Sequence, residues 1–145
     1  MSTQQHDPRL DTILRYYHGC NTADVALMMS TFHEGVVHYF VDHAPVAGAR
    51  ELAGYWAKVG PRTRASWHVD HALVKGDEAV IEWSMVWTPA DSDKPQTLRG
   101  TEWFVFVDDR IAEIRSYHNN HHLQSPRNRE LHGFPYAARG YPPTL

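Results

Sequence analysis

One cysteine, Cys20, is all that the 145 residues carry, which excludes an internal disulfide and any CxxC metal knuckle. Long apolar runs are missing too, and no stretch reaches the roughly 20 residues that a bilayer-spanning helix needs. Met1 to Asp11 has neither the basic start nor the apolar stretch of a signal peptide, so a reducing, cytoplasmic setting is expected. Charge of one sign is equally scarce. The formal net charge is -3 with histidines neutral, and no five like charges follow one another. Nothing in that pattern offers an electrostatic footprint to nucleic acid or to an anionic membrane. Internal repeats and low-complexity tracts are absent as well.

Histidine is the residue in excess, with 11 in the chain. Where they fall on strands and helices decides whether they matter, so the elements come first. A chain of this length buries roughly two thirds of its unfolded surface, enough for one substantial core. Asp7 followed by Pro8 reads as a helix start, and Leu10, Ile13, Leu14 and Tyr17 recur at helical spacing up to Gly19. Asn21 or Thr22 caps a second helix with the apolar face Val25, Met28, Met29 and Phe32. Gly35 to Val41 is β-branched and aromatic and reads as a strand. A third helix carries Leu52, Tyr55, Trp56 and Val59, between Gly48 and Gly60-Pro61.

From Ala65 the period becomes strand-like. Ser66 to Lys75, Glu78 to Thr88, Leu98 to Val107 and Arg110 to Asn119 form four strands, separated by Gly76-Asp77, by the loop Pro89 to Gln96 and by Asp108-Asp109. The order ααβαββββ implies an α+β domain, with helices on one side of a curved antiparallel sheet. Residues 1-123 are expected to form that domain. Residues 124-145, with Phe134, Tyr136 and Tyr141, are expected to pack on its surface, over a pocket mouth or against a partner subunit.

Several phrases, in order, carry a family likeness over roughly residues 8 to 120. Tyr17 through Asn21-Thr22-Ala23-Asp24 to Phe32-His33-Glu34 reads as a helix, polar turn and second helix. Pro45-Val46-Ala47-Gly48 leads into the third helix, and Arg99-Gly100-Thr101-Glu102-Trp103-Phe104 with Arg110-Ile111-Ala112-Glu113-Ile114-Arg115 forms a last hairpin. Together they resemble the SnoaL-like, nuclear-transport-factor-like superfamily, whose cone-shaped fold encloses a pocket. The resemblance implies a homodimer and a cofactor-free isomerase, dehydratase or polyketide cyclase, although the superfamily also holds epoxide hydrolases and non-catalytic binding domains.

Strand alternation then selects candidates, because residues two apart share a face. Val36, His38 and Phe40 form one set, and in similar isomerases the catalytic carboxylate falls near Phe40, which places His38 inside. Gly100, Glu102 and Phe104 form another, with Glu102 where ketosteroid isomerases keep an acidic oxyanion-hole residue. Ala112, Ile114, Ser116 and His118 form a third; Ser116 stands where polyketide cyclases carry a catalytic carboxylate. His68 matches the catalytic histidine of scytalone dehydratase and lindane dehydrochlorinase, but the aspartate that orients it there is Asn21 here. His71 shares a face with Trp67, Val69 and Leu73, so it is not inside together with His68 unless a bulge intervenes.

The expected catalytic set is therefore His68, Glu102, His38 and His118, with Tyr17, Asn21, Phe40, Trp56, Trp83, Phe104 and Ser116 around the substrate. Three readings stay open. A histidine removes a proton beside a carbonyl while Glu102, kept protonated by burial, donates to the oxyanion. Alternatively His38, Glu102 and His118 hold a divalent metal, with the run Tyr117-His118-Asn119-Asn120-His121-His122 nearby. The third is a non-catalytic carrier whose histidines point away from an apolar cavity. The Trp, Met and Phe content favours a small hydrophobic ligand in every case.

Overall fold

The computed structural model describes residues 7–118 and 130–142. Asp7 caps α1 (Pro8–Thr22), its side chain accepting from the Arg9 N–H at 2.9 Å, with Pro8 in the first turn where its missing donor costs nothing. The helix runs past Gly19 to a left-handed Ala23, and Asp24 rather than Asn21 caps α2 (Val25–Thr31), accepting from Leu27 N–H at 3.0 Å. Phe32, expected on the helix stripe, opens β1 (Phe32–Tyr39) instead. A short β2 (Val46–Ala47) precedes α3 (Ala49–Thr63), and then come β3 (Ser66–Lys75), β4 (Glu78–Trp87), β5 (Gln96–Val107) and β6 (Arg110–His118).

The sheet order is β2-β1-β6-β5-β4-β3, a curved, open, six-stranded sheet with three helices packed against it. It is mixed, not purely antiparallel. Three successive reversals from β3 bring β6 back beside β1 running in the same direction, so that one pair is parallel. The core lies between the helices and the inner sheet face, where Ile13, Met28, Leu52, Ile81 and Phe104 are fully buried or nearly so. Among the described residues no helix is long and apolar enough to cross a membrane.

Three register irregularities affect which side chains reach the interior, one of them between Phe32 and Val37 in the β1–β6 pair. The β3–β4 register shifts between Val69 and His71, and the β5–β6 register shifts between Val105 and Phe106. A bulge resets the alternation beyond it. The last hairpin thus keeps Glu102, Ser116 and His118 on the inner face while Trp103, Arg115 and Tyr117 point outward. On that outer side residues 130–142 lie against β1 and β6. Phe134 packs on Tyr39, Arg139 pairs with Glu113 at 2.8 Å, and the Arg115 guanidinium donates to Tyr141 Oη at 2.8 Å.

Asn21 ties the end of α1 to the open edge of the sheet. Its Nδ2 donates to the Trp67 carbonyl and its Oδ1 accepts the Trp67 N–H, both at 2.8 Å. β3 has no neighbour on that side, so the amide satisfies one peptide that would otherwise face water. Replacing it, Asn21→Ala, is expected to cost about 1 kcal/mol. That corresponds to a fall of roughly 3 °C in Tm, read by thermal melting of both proteins; an unchanged Tm would show the bridge to be idle.

Candidate active site

Helices and inner sheet face enclose a cavity of about 190 Å³. Its inner end is built on Glu102, 5% exposed, which sits mid-strand on β5 directly opposite Ser116 on β6. Ser116 Oγ donates to Glu102 Oε2 in a very short hydrogen bond, and Tyr17 Oη, reaching in from α1, donates to Oε1 at 2.5 Å. His38, from β1, places Nε2 2.7 Å from Ser116 Oγ and 3.4 Å from Glu102 Oε2. The serine has one proton and gives it to the carboxylate, so the network assigns the His38 Nε2–H as donor to the serine lone pair.

That assignment makes His38 neutral. Its Nδ1 is buried with no hydrogen-bond partner, which a bare lone pair tolerates and an N–H of an imidazolium would not. Burial accordingly pushes the His38 pKa below its usual value, against the pull of Glu102. Burial also pushes the Glu102 carboxyl upward, but the pull of the nearby His38 ring and the hydrogen bonds from Ser116 and Tyr17 outweigh it and hold the carboxyl below its ordinary value. Tyr17 moves the other way. Burial and the adjacent carboxylate raise its phenol well above the usual range, so it stays a donor.

Glu102 is thus an acceptor-bound carboxylate. The carboxyl lies below its ordinary value, where burial alone led to the expectation of a raised, protonated oxyanion donor. The His38 expectation is also adjusted. The ring lies on the inner face as alternation requires, but it is fully buried behind the wall, stacked on Phe40 at 4.1 Å, and does not line the cavity.

His118 does line it, beside Trp83 at 5.9 Å between ring centroids and with Nε2 3.9 Å from Asp42 Oδ1. Burial lowers its pKa although Asp42 pulls the other way. Tyr17, Phe40, Trp56, Trp83 and Ser116 are on the wall as expected from the sequence. Trp83 lies there because Gly100 faces it across the β4–β5 pair. A Cβ on Gly100 would come within 2.6 Å of the indole.

Three expected site residues are elsewhere. His68 points into solvent, its side chain 77% exposed, and bonds Asp70 Oδ1 at 2.9 Å. Trp67 and Val69 take the inner side of β3, and the bulge after Val69 turns His71 outward as well, so neither histidine enters. Asn21 is occupied by the Trp67 backbone. Phe104 is inward but sealed in the core against Tyr16 and Phe106. The metal set His38, Glu102, His118 does not assemble either: among the described residues no group of three or more His, Cys, Asp or Glu is placed to hold an ion. Asn119, Asn120, His121 and His122 lie outside the described residues.

The sequence reading missed the outer rim. Asp42 and His43 follow β1 in a loop that no periodicity describes, and the His43 ring lies tilted against Phe40 at 4.0 Å and meets Tyr55 Oη at 3.1 Å. Tyr55 already belonged to the α3 stripe. Trp67, Met85, Trp87 and Leu98 complete the wall.

A family model described as SnoaL-like domain matches residues 13–114. Among solved structures, a protein of unknown function with a cystatin-like fold from Methylobium petroleophilum PM1 is 31% identical, with 95% of this chain and 93% of that chain covered at a TM-score of 0.81. TerC, crystallised with polyporic acid, is 16% identical over 81% of this chain and 98% of that one, at 0.70. An LEH-like epoxide hydrolase from M. tuberculosis is 13% identical over 80% and 86%, at 0.69. Among curated proteins none matches.

The buried His38–Ser116–Glu102 chain generates a pH prediction. His38 and His118 have folded pKa values below their unfolded ones, so their contribution to stability is complete above about pH 6.5 and is lost as pH falls through the folded values. Glu102, also depressed, adds its loss below the unfolded glutamate value. Tm is therefore expected to decline from pH 7 to pH 5. His38→Gln, which keeps a donor for Ser116 but does not titrate, should flatten that decline, as calorimetry at several pH values would show.

Proposed function

Because the chain belongs to the SnoaL-like domain family, we propose that its cavity is the active site of a proton-transfer enzyme acting on a small hydrophobic molecule, with Glu102 as the base. The observation that carries this reading is a buried carboxyl, held below its ordinary value, at the inner end of a largely apolar cavity. Members of the family are typically cofactor-free, and this chemistry needs no cofactor.

In the step itself, a C–H bond beside a substrate carbonyl breaks and an O–H bond forms on Glu102. The electron pair moves into the enolate, so the single negative charge passes from enzyme to substrate and net charge is conserved. Tyr17 and Ser116 hold the carboxylate in place, and His38 fixes the serine from behind. His118, an imidazole on the next inward position of β6, is placed to donate a hydrogen bond to the substrate oxygen, and the proton held by Glu102 returns to the product. Return of the proton to another carbon is isomerisation; loss of a β-hydroxyl is dehydration; attack of the enolate on a second carbonyl is cyclisation.

Homodimerisation belongs to the same proposal. The outward face of the sheet carries Leu73, 62% exposed, with Val86 and Trp103. Sedimentation is expected to give a dimer, and Leu73→Glu to give monomer; a monomeric parent protein removes this part.

For the chemistry, a panel of small cyclic and aryl ketones in D2O supplies the test. The protein is expected to accelerate α-proton exchange, followed by NMR, and Glu102→Gln to slow it about a hundredfold with the fold retained. Tyr17→Phe removes a donor to the charged form, raises the Glu102 pKa and moves the acid limb of the rate profile to higher pH. Exchange by Glu102→Gln at the parent rate would end the assignment.

A further inference from the structure

A buried indole N–H with nothing to bond is costly, and one stands on the cavity wall. Trp83 is 6% exposed, and among the described residues its Nε1 has no hydrogen-bond partner. Leaving such a donor unpaired costs about 1–3 kcal/mol, and buried tryptophans ordinarily avoid it. Trp103, on the outer side of the same sheet, does avoid it by donating to Glu78 Oε1 at 2.9 Å. Trp56 Nε1 is also beyond bonding distance of an acceptor, but it acts on the Tyr16 phenol, whose pKa burial raises and this N–H pulls back. Trp83 has no such acceptor.

Register places that donor beside the base. Trp83 on β4 pairs with Gly100 on β5, and Gly100 pairs with His118 on β6, so the three form one inward row. The next inward row, two residues along each strand, is Ile81, Glu102 and Ser116. Two residues of strand span about 7 Å. Because Gly100 has no Cβ, the indole lies across it: a Cβ there would come within 2.8 Å of Cε2, the carbon that carries Nε1. The nitrogen edge therefore sits over β5, the strand of Glu102 itself. The His118 ring is 5.9 Å from the Trp83 ring, and its Nδ1 is likewise buried without a partner. Its Nε2, at 3.9 Å from Asp42 Oδ1, is too far to hydrogen-bond there, so that contact does not fix the tautomer and Nδ1 can carry the proton as a second donor.

An indole N–H donates and never accepts, so it selects among ligands. A hydrocarbon leaves it unpaired, and an ammonium group repels it. A carbonyl oxygen satisfies it, and holds it more strongly as that oxygen takes on enolate charge. We propose that Trp83 is an oxygen-binding residue of this cavity: its indole N–H, beside His118, holds the carbonyl oxygen of a small ketone whose neighbouring C–H lies at Glu102. The proposal rests on the preceding reading in taking the cavity as the site and Glu102 as the base. It deepens that reading by naming a group that receives the charge leaving the carboxylate.

The test uses the whole chain, with isotope-labelled tryptophan for NMR, and two probes of one shape: cyclohexanone, and methylenecyclohexane, in which a methylene group replaces the oxygen. The Trp83 Nε1–H resonance, assigned through its contacts with the Gly100 α-protons, is expected to move downfield with the ketone and not with the hydrocarbon. Trp83→Phe should weaken cyclohexanone binding about fivefold, the worth of one hydrogen bond, while leaving methylenecyclohexane within about twofold. In ketone exchange the same variant should lower kcat more than it raises KM, because the bond strengthens as charge reaches the oxygen. The resonance is read on the unaltered chain, so it decides the matter even where the variant does not fold. An unmoved Trp83 resonance under saturating cyclohexanone, equal loss of both probes in Trp83→Phe, or no cyclohexanone binding up to its solubility overturns the proposal. Exchange that proceeds with the resonance unmoved ends the role of Trp83 and leaves Glu102 as the base. A shifted resonance without exchange keeps the oxygen site and removes the base.

Discussion

A single buried carboxylate organises this molecule. Glu102 receives a phenol from α1, a hydroxyl from β6 and, through that hydroxyl, an imidazole from β1, so three separate segments converge on one side chain. Taking a charge out of water costs several kcal/mol unless hydrogen bonds replace the lost hydration. Here two hydroxyls and a relayed imidazole make that replacement, and each of them is thereby fixed in rotamer and tautomer. The arrangement explains why Tyr17 keeps its proton and why the His38 pKa falls. None of the three supporting groups needs to touch a ligand to matter.

Period-two alternation delivers these groups, and two of the register shifts tune it. On β5 and β6 the inner positions Glu102, Ser116 and His118 survive because the register shift between Val105 and Phe106 lies toward the hairpin turn, before the site begins. On β3 the shift falls between Val69 and His71, in the middle of the strand, and turns His71 outward like His68, while Trp67 and Val69 face inward. Gly100 adds a second device. With no side chain of its own, it lets the Trp83 indole lie across β5 and close one side of the cavity.

Those facts also separate what could be read from the amino-acid order from what could not. Glu102, Ser116, His118 and Tyr17 were legible because each lies on a run of strand or helix whose period fixes its face, and Phe40, one residue past the end of β1, keeps that strand's alternation. His68 was not, since an aromatic neighbour competing for the interior, Trp67, wins one position earlier on the same strand. Asn21 looked like a cap or a ligand group because its role is to bind a peptide 46 residues away, which no local pattern encodes. The protonation of Glu102 was misjudged for a related reason: burial alone argues for a raised pKa, and only the three-dimensional donors reverse it. Asp42 and His43 sit in a loop, where spacing carries no directional information.

Among the described residues no guanidinium lies beside Glu102, and that follows from the same alternation. Arg115 is the neighbour of Ser116 in sequence, and a slip of one residue in the β5–β6 pairing would turn it inward against the carboxylate while sending the serine out. A guanidinium there would form a bidentate pair, depress the carboxyl further and cancel its charge, leaving a rigid ion pair in place of a base. Instead Arg115 is held on the outer face by Glu113, by Tyr141 and by the Trp103 and Phe134 rings. The residues around 134–141 therefore serve the cavity from the opposite side of the sheet. By holding Arg115 on the outer face, they stabilise the register in which Glu102 and Ser116 face the interior.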